Sequence, residues 1–364
     1  MGKRNVTAIV TPDEHPDQSS FISDLRDGLK GPKDFLYGGG IPSFSYYNGY
    51  IIKPAIIDKV VVRLRKLNFK EYLFEKYLKS QNVDTIIAEY GITAVQLLDI
   101  CKKLEIKLIT HFHGFDAYEH QTLKTFGLHY KKVFDYSSEL IVVSNDMKKK
   151  LIQLGAPGEK IIYNPCAPKD IFYSATPDFK SNQFISIGRF VDKKAPYFTL
   201  LSFAKLNEEF PESRLTMIGD GPLLNTCKNI CEYLGLSNRV NFKGKLKREK
   251  ILETIQNSFC FIQHSIVAGN GDSEGTPVSV MEAAASGLPV IATYHAGIAD
   301  VHMNQITALL SPEGDVEQMY LNMKELYLDR QLAKEMGKKG RKRVKNNYSM
   351  EKYIETIQEL ANNT

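Results

Sequence analysis

Residues Gln263–Gly287 read QHSIVAGNGDSEGTPVSVMEAAASG. The segment begins with the end of an apolar strand, continues through a glycine-rich loop and enters an alanine-rich helix. Thr276 is the predicted N-cap of this helix, Pro277 its first residue and Gly287 its terminator. The N-terminus of a helix presents backbone N–H groups and the positive end of a dipole, which suit a phosphate group. The sequence therefore predicts a strand–loop–helix unit with an anion site at the loop.

Two carboxylates bracket this loop. Glu274 lies just before the predicted helix, and Glu282 lies within it among small residues. Either side chain is a suitable acceptor for sugar hydroxyls beside a bound diphosphate, although a solvated loop and helix surface would use the same residues. Because the rest of the helix is apolar, we expect it to be mostly buried, and a buried carboxylate needs a partner. We therefore favour a binding role for both residues.

The same alternation of short apolar strands with helices extends over the whole chain. It breaks once, at Ile162–Asp170, where two prolines interrupt the pattern and predict a linker. Two successive runs of strand and helix predict two Rossmann-like, doubly wound α/β domains facing an interdomain cleft. The predicted boundaries are 1–167 for the N-terminal domain, 168–345 for the C-terminal domain and 346–364 for a last helix.

Composition excludes several classes of protein. The chain has 364 residues, of which 43% are hydrophobic and 24% charged, an ordinary globular mixture. The net charge of +5 is too small to indicate a nucleic-acid partner. The five cysteines are scattered, which is typical of reduced thiols in the cytoplasm. No run is long and apolar enough for a membrane span, and the N-terminus resembles a strand rather than a signal peptide.

Three further segments carry chemistry-bearing residues. Arg189 and Lys194 follow a predicted strand and are suited to bind phosphate oxygens, whereas Lys193 between them is predicted to be solvated. The segment Gly219–Leu223 is a predicted tight turn. His111 and His113 have a spacing seen in metal sites, but no third ligand is evident in the sequence and no D-x-D motif occurs. We therefore predict no metal site.

Together these segments resemble the family 4 retaining glycosyltransferases, which adopt the GT-B fold. Glu274–Pro277 with Glu282 is similar to the family's E-x7-E region, and Gly188–Lys194 to its G-R-x4-K segment. Gly219–Leu223 matches its G-x-G-P-L turn, and His111–Asp116 resembles its H-G-x-D loop. Asn164 falls where the family has a linker asparagine. The motifs occur in the family's order over nearly the whole chain.

The resemblance implies transfer of a hexose-type sugar from a UDP- or GDP-type donor to an acceptor hydroxyl, without a cofactor or metal. It implies that Arg189 and Lys194 neutralise the leaving diphosphate, that Glu274 and Glu282 bind sugar and ribose hydroxyls, and that His113 lies near the donor sugar. It also implies that 1–167 is an acceptor domain and 168–345 a nucleotide-sugar donor domain, and that the last helix, 346–364, crosses back onto the first domain. The implied catalytic residues are His113, Arg189, Lys194 and Glu274. The implied donor-binding residues are Gly188, Gly219, Gly221, Lys245, Leu246, Gly275, Thr276, Pro277, Val278 and Glu282.

The segment Lys59–Lys70 contains five cations and no acid, interleaved with Val, Leu and Phe. Such a segment is suited to an anionic membrane surface, although an ordinary solvated helix has the same composition. The family resemblance and this segment favour a lipid-linked acceptor in polysaccharide assembly, at the inner face of the cytoplasmic membrane. Two alternatives stay open: a GT-B nucleotide-sugar epimerase and a non-catalytic nucleotide-sugar-binding subunit.

Overall fold

The structure is a computed structural model that describes residues 5–363. It divides the chain into two compact units. The first contains the residues up to Asn164 together with those from Tyr353 onward, and the second contains Pro165–Lys352. The boundaries predicted from the sequence, 167/168 and 345/346, lie three and seven residues from these observed divisions. The predicted terminal ranges also include residues 1–4 and 364, which lie outside the described residues.

The first unit is built on an eight-stranded sheet in the order β4-β3-β2-β1-β5-β6-β7-β8, parallel except for the pairings of β3 with β2 and β4. Its elements are β1 Val6–Val10, α1 Ser20–Gly28, β2 Lys33–Tyr37, β3 Phe44–Ser45, β4 Gly49–Tyr50, α2 Ile56–Arg65, α3 Phe69–Gln81, β5 Val83–Glu89, α4 Gly91–Leu104, β6 Lys107–Phe112, α5 Phe115–Tyr118, α6 His120–Tyr136, β7 Glu139–Val142, α7 Asn145–Gln153 and β8 Ile161–Tyr163.

The last helix of the chain, α15 (Met350–Asn362), contributes its residues from Tyr353 onward to this first unit. The side chain of Asn164 donates a hydrogen bond to the Tyr353 carbonyl at 3.1 Å. Ile357 is completely buried, and a Cβ atom at Gly28 would lie 2.8 Å from the side chain of Ile354. The helix therefore forms part of the packed interior of the first unit.

The second unit contains a fully parallel six-stranded sheet in the order β11-β10-β9-β12-β13-β14. Its elements are β9 Gln183–Ile187, α8 Pro196–Glu209, β10 Arg214–Ile218, α9 Leu224–Tyr233, β11 Val240–Phe242, α10 Arg248–Gln256, β12 Cys260–Gln263, α11 Val278–Ala285, β13 Val290–Thr293, α12 Ile298–Val301, β14 Ala308–Ser311, α13 Val316–Leu328 and α14 Arg330–Asn347. The strand order reverses between β9 and β12, and ligands of such sheets bind outside the carboxyl ends of the strands at this switch point.

The predicted α/β class with two Rossmann-like sheets is confirmed. The sequence missed β2–β4, β8 and β14, which are strands of two to five residues. The predicted linker Ile162–Asp170 was wrong at its start, since β8 continues to Tyr163 as the edge of the first sheet. Within residues 5–363, no helix combines the length and the apolar character needed to cross a bilayer.

Candidate active site

The predicted donor residues of the second unit follow the strands on both sides of the switch point. Arg189 and Lys194 follow β9, and Glu274 lies in the loop between β12 and α11. Arg189 is exposed, whereas the side chains of Lys194 and Glu274 are 12% and 10% exposed. The parallel strands β9 and β12 thus bring three charged groups to the same end of the sheet. These are the exposed cation of Arg189, the buried cation of Lys194 and the buried carboxylate of Glu274.

Lys194 and Glu274 form an ion pair, with 3.3 Å between Nζ and Oε2. Burial opposes ionisation of Glu274, but the ammonium groups of Lys194 and Lys193 outweigh it and lower the pKa of the carboxyl. Burial also lowers the pKa of Lys194, an effect that Glu274 partly offsets. The other carboxylate oxygen, Oε1 of Glu274, is buried and has no hydrogen-bond partner among residues 5–363. A ligand hydroxyl would satisfy it.

Glycines bring the turn after β10 against the loop after β9. Gly188 N–H donates to Ile218 O at 2.9 Å, and a Cβ atom at Gly219 would lie 1.9 Å from the Gly188 carbonyl oxygen. A Cβ atom at Gly221 would lie 2.5 Å from the carbonyl oxygen of Phe190. Both glycines have positive φ angles, +141° and +152°. Backbone contact at these two positions therefore requires glycine, which fixes the loop that carries Arg189.

Lys193 was predicted to be solvated, and this prediction was wrong. Its side chain is only 8% exposed, its Nζ lies 2.9 Å from Oδ1 of Asp272, and it donates to the Ser273 carbonyl at 3.2 Å. A buried ammonium needs such partners. Lys193 therefore ties the loop after β9 to the loop that carries Glu274.

A second contact to the Glu274 loop comes from His295, which the sequence analysis did not single out. The backbone N–H of Glu274 donates to Nε2 of His295 at 3.1 Å, and Nδ1 of His295 lies 2.6 Å from Oε1 of Glu313. Since Nε2 accepts, the ring proton lies on Nδ1 and is donated to Glu313. Burial opposes ionisation of Glu313, but its bonds to His295 and to the Val267 N–H lower its pKa.

The helix α11 begins one residue later than predicted. Pro277 is its N-cap and Val278 its first residue, so the assignment of Thr276 as the N-cap was wrong. Gly275 and Thr276 are instead part of the buried loop: Gly297 N–H donates to Gly275 O at 2.9 Å, and a Cβ atom at Gly297 would lie 1.8 Å from Oγ1 of Thr276. Close packing, rather than capping, holds this part of the loop.

The remaining predicted donor residues occupy the same end of the second sheet or the helix behind it. Glu282 lies on α11 and is half-buried. Lys245 and Leu246 follow β11, exposed and half-buried respectively, and the preceding Gly244 accepts a hydrogen bond from Gly219 N–H at 2.8 Å. The loop after β11 is therefore adjacent to the glycine turn.

In the first unit, His113 lies in a buried cluster at the end of β6. Its Nε2 is 2.5 Å from Oε2 of Glu89, and Nδ1 of His111 is 3.3 Å from the same oxygen. Burial opposes ionisation of Glu89, but the two histidines lower its pKa to about 2, whereas burial and the neighbouring His113 lower the pKa of His111. Phe21 and Tyr90 contact the His113 ring, with centroids 4.6 and 4.9 Å away.

Glu89 is a third possible metal ligand beside His111 and His113, and it was not predicted from the sequence. It is the residue opposite His111 in the pairing of β5 with β6, so only the strand register reveals it. The three side chains have the composition of a metal site. However, a metal bound to both His113 and Glu89 would hold its ligand atoms about 3 Å apart or more, and the direct 2.5 Å contact occupies that space. The arrangement is that of a hydrogen-bonded pair.

Asp116 organises the backbone around His113. Its Oδ1 accepts from the N–H groups of His113 and Gly114 at 3.1 and 2.9 Å, and its Oδ2 accepts from Gly91 N–H at 2.9 Å. These contacts are those of a cap for the segment that follows β6. They join the loop after β6 to the start of α4.

Two family profiles match the chain, one in each unit. Residues 42–167 match "Glycosyltransferase Family 4", and residues 170–343 match "Glycosyl transferases group 1". WcaL of Escherichia coli K12, assigned to colanic acid biosynthesis, is 25% identical over 279 residues, 74% of this chain and 68% of WcaL. The amylovoran biosynthesis glycosyltransferase AmsK of Erwinia amylovora is 29% identical over 221 residues, 60% of this chain and 54% of AmsK. The matched regions thus span about half to two thirds of these relatives.

Solved structures share the fold across nearly the whole chain. The structure of Anabaena Alr3699/HepE in complex with UDP and glucose has a TM-score of 0.77 at 14% identity, covering 98% of this chain and 99% of that one. Sucrose-phosphate synthase from Thermosynechococcus elongatus has a TM-score of 0.76 at 15% identity, covering 98% of each chain. At these identities the likeness concerns the fold.

Proposed function

Because the chain belongs to the family 4 glycosyltransferases of GT-B fold, we propose that it transfers a sugar from a nucleoside-diphosphate donor to an acceptor hydroxyl, with retention at the anomeric carbon. The observation that carries this proposal is the buried pair of Lys194 and Glu274 at the switch point of the second sheet. The pair places two groups side by side. One is a cation suited to phosphate, and the other is a carboxylate whose Oε1 has no partner among residues 5–363 and is suited to accept from a sugar hydroxyl.

In this reaction the bond between the anomeric carbon and the diphosphate oxygen breaks, and a bond to the acceptor oxygen forms on the same face. The acceptor proton passes to the leaving phosphate, so no separate carboxylate base is required. Arg189, Lys194 and the N-terminus of α11 stabilise the negative charge that develops on the diphosphate. These cations take the place of a metal ion, and no cofactor takes part.

Glu274 holds hydroxyls of the donor sugar, and Glu282 holds the ribose. The loops that carry Gly219, Lys245 and Leu246 lie together at the carboxyl ends of β10 and β11, where they contact the base. Gly188, Gly221, Gly275, Pro277 and Val278 let the backbone approach the donor. His113 is proposed to bind the donor sugar.

We propose that the acceptor is a lipid-linked sugar of cell-surface polysaccharide assembly. Two relatives, WcaL and AmsK, are assigned to colanic acid and amylovoran biosynthesis. Both products are polysaccharides, which supports a sugar acceptor. The acceptor site would then lie at the inner face of the cytoplasmic membrane.

The helix α2 supports this placement. Four of its large apolar side chains are unusually exposed: Ile56 by 89%, Ile57 by 66%, Val60 by 52% and Leu64 by 78%. Three of them are spaced four residues apart and therefore share one face. Apolar side chains exposed in a row on one helix are typical of a surface that inserts into the interfacial region of a bilayer.

Charge favours an anionic bilayer as the partner of this α2 face. Lys59, Arg63 and Lys66 are exposed. The one acid of the helix, Asp58, is only 1% exposed and is paired with Lys76 at 2.9 Å, so it contributes no exposed negative charge. Each exposed cation near an anionic membrane contributes about 1 kcal/mol of attraction.

Vesicle sedimentation tests the membrane contact. We expect the protein to sediment with phosphatidylglycerol vesicles and much less with phosphatidylcholine vesicles, and Leu64→Ser to weaken the binding. Leu128→Ser is the matched control, because Leu128 is 89% exposed on another helix. Equal sedimentation of all variants, or none at all, would contradict the proposed contact.

The reaction is tested with a panel of UDP- and GDP-sugars. Donors that bind should raise the melting temperature. Incubation with membrane lipid extract should then yield labelled glycolipid. Conversion of the donor sugar without an acceptor would instead indicate an epimerase. Binding without any turnover would indicate a non-catalytic subunit.

A further inference from the structure

Glu89 and the two histidines lie on adjacent strands at one end of the first sheet. Glu89 is the last residue of β5 and pairs in register with His111 of β6. His113 follows β6 directly, two residues beyond His111. The side chains of Glu89 and His111 are completely buried and that of His113 is 6% exposed. A carboxylate in such a place is costly unless it has a specific partner.

We propose that Glu89 is a positioning residue for His113. Its ionised carboxylate accepts a hydrogen bond from Nε2–H of His113, which fixes both the orientation and the tautomer of the ring. In the neutral ring Nδ1 is then the acceptor nitrogen. That the ring acts on a sugar donor rests on the proposed function; the role of Glu89 rests on the geometry.

The groups around His113 act on its ring in different ways. Phe21 and Tyr90 contact the ring with their own rings and restrict its plane, but aromatic contacts do not select which nitrogen carries the proton. Burial and the neighbouring His113 lower the pKa of His111, whose Nδ1 lies 3.3 Å from the same oxygen of Glu89. Asp116 binds the backbone N–H groups of this loop. Glu89, in contrast, contacts a ring nitrogen directly, with 2.5 Å between its Oε2 and Nε2 of His113.

Glu89 would act on His113 as the aspartate of a Ser-His-Asp triad acts on its histidine. That aspartate orients the histidine and stabilises its charged form without reacting itself. An amide in place of the carboxylate keeps the shape but is able to turn its NH2 group toward Nε2. The wrong tautomer would then be populated, with Nδ1 protonated. The substitution Glu89→Gln therefore separates the effect of tautomer and charge from the effect of packing.

Nitrogen NMR of the full-length protein with ¹⁵N-labelled histidine measures the tautomer directly. We expect Nε2 of His113 to be protonated in the wild type and the population to shift in Glu89→Gln. His113→Asn identifies the signal. A wild-type ring protonated only at Nδ1 would overturn the inference, whether or not the protein transfers sugar.

Kinetics give a second readout. We expect Glu89→Gln to lower kcat at least about tenfold while donor KM changes less than about threefold. The same substitution should have no further effect in a His113→Asn background, because it acts through that ring. The control is Glu105→Gln, at an exposed position of the same unit.

The outcomes separate the two proposals. Transfer by Glu89→Gln at the wild-type rate, or equal losses in both backgrounds, would overturn the role of Glu89 while leaving the proposed function intact. Absence of transfer by the wild type would refute the proposed function, and the NMR result would still decide the role of Glu89. A bound transition metal that is lost in Glu89→Gln would replace the inference by a metal site.

Discussion

The Nζ atom of Lys194 lies 3.3 Å from Oε2 of Glu274, and the pair joins the loop after β9 to the loop after β12. These are the two strands at which the order of the second sheet reverses. An ion pair at this point is both a contact between loops and a pair of ligands for a charged substrate. Substitution of either member should therefore affect both activity and stability.

We expect Lys194→Ala and Glu274→Gln each to reduce kcat/KM at least about 100-fold, because each removes a charge or acceptor at the reacting diphosphate sugar. Initial-rate measurements with the best donor of the panel check this. Lys250→Ala is the matched control, since Lys250 and its partner Glu253 are 68% and 59% exposed. Wild-type rates in either site variant would refute the site assignment.

The ion pair of Lys194 and Glu274 should also contribute to the stability of the folded protein. Lys194→Met and Glu274→Gln, made singly, each leave a largely buried charge without its partner and should cost about 2–4 kcal/mol of unfolding free energy. The double variant should lose less than the sum of these two single changes. Urea unfolding of the four proteins measures this coupling, and strict additivity would show that the two charges do not interact.

Gly219→Ala should destabilise the second unit by about 3 kcal/mol and abolish donor binding. The new methyl group would lie 1.9 Å from the Gly188 carbonyl oxygen, so the loop with Arg189 must move. The control is Gly269→Ala, because nothing lies within 4 Å of a Cβ atom there. Thermal unfolding with and without donor compares the two. An unchanged melting temperature for Gly219→Ala would contradict the described packing of the two turns.

Lys193→Met should weaken donor binding about tenfold with a smaller effect on kcat, because Lys193 holds the Asp272–Ser273 segment without reaching the reacting atoms. Donor KM and kcat are the measurements. Lys205→Met serves as the control, since Lys205 is 47% exposed and pairs with Glu317 at the surface. A larger loss in kcat than in KM would instead indicate direct contact with the leaving group.

Stability should fall as the pH decreases from about 6.5 to about 4. Burial lowers the pKa of both His264 and His302 to about 4, so the folded state keeps them neutral while the unfolded state binds protons. Their contribution is complete above the unfolded pKa of 6.5 and is lost as the pH falls to about 4. Each accounts for about 3 kcal/mol over this range.

Melting temperatures between pH 7 and pH 4.5 test this dependence. His302→Gln should flatten the pH profile, because a glutamine does not titrate. His129→Gln at an exposed position should leave the slope unchanged. A slope for His302→Gln equal to that of the wild type would show that another group controls acid unfolding.

The sequence allowed prediction of those parts of the site that lie within one continuous segment. The loop after β9, the Gly219–Gly221 turn and the loop before α11 each carry local signals of glycine, proline and charge. Their common location at one end of the second sheet followed from strand alternation alone, because the carboxyl ends of parallel strands face the same way.

Residues whose role depends on a distant partner could not be predicted. Lys193 was misjudged because its partner Asp272 is 79 residues away. Glu89 and His295 were missed for the same reason, since strand register and loop packing bring them to His113 and Glu274. The N-cap of α11 was misplaced because Thr276 has the right side chain but its loop is held by packing against Gly297.

The helix α15 has a consequence for how the protein is made. Asn164 and Tyr353 are hydrogen-bonded neighbours in the first unit but are separated by 189 positions in the sequence, with the whole second unit between them. During translation the second unit is therefore complete before the first one. Until Tyr353–Asn362 emerges from the ribosome, the apolar surface that receives Ile354 and Ile357 stays uncovered, so premature termination before this helix would release a nascent chain that chaperones and proteases recognise.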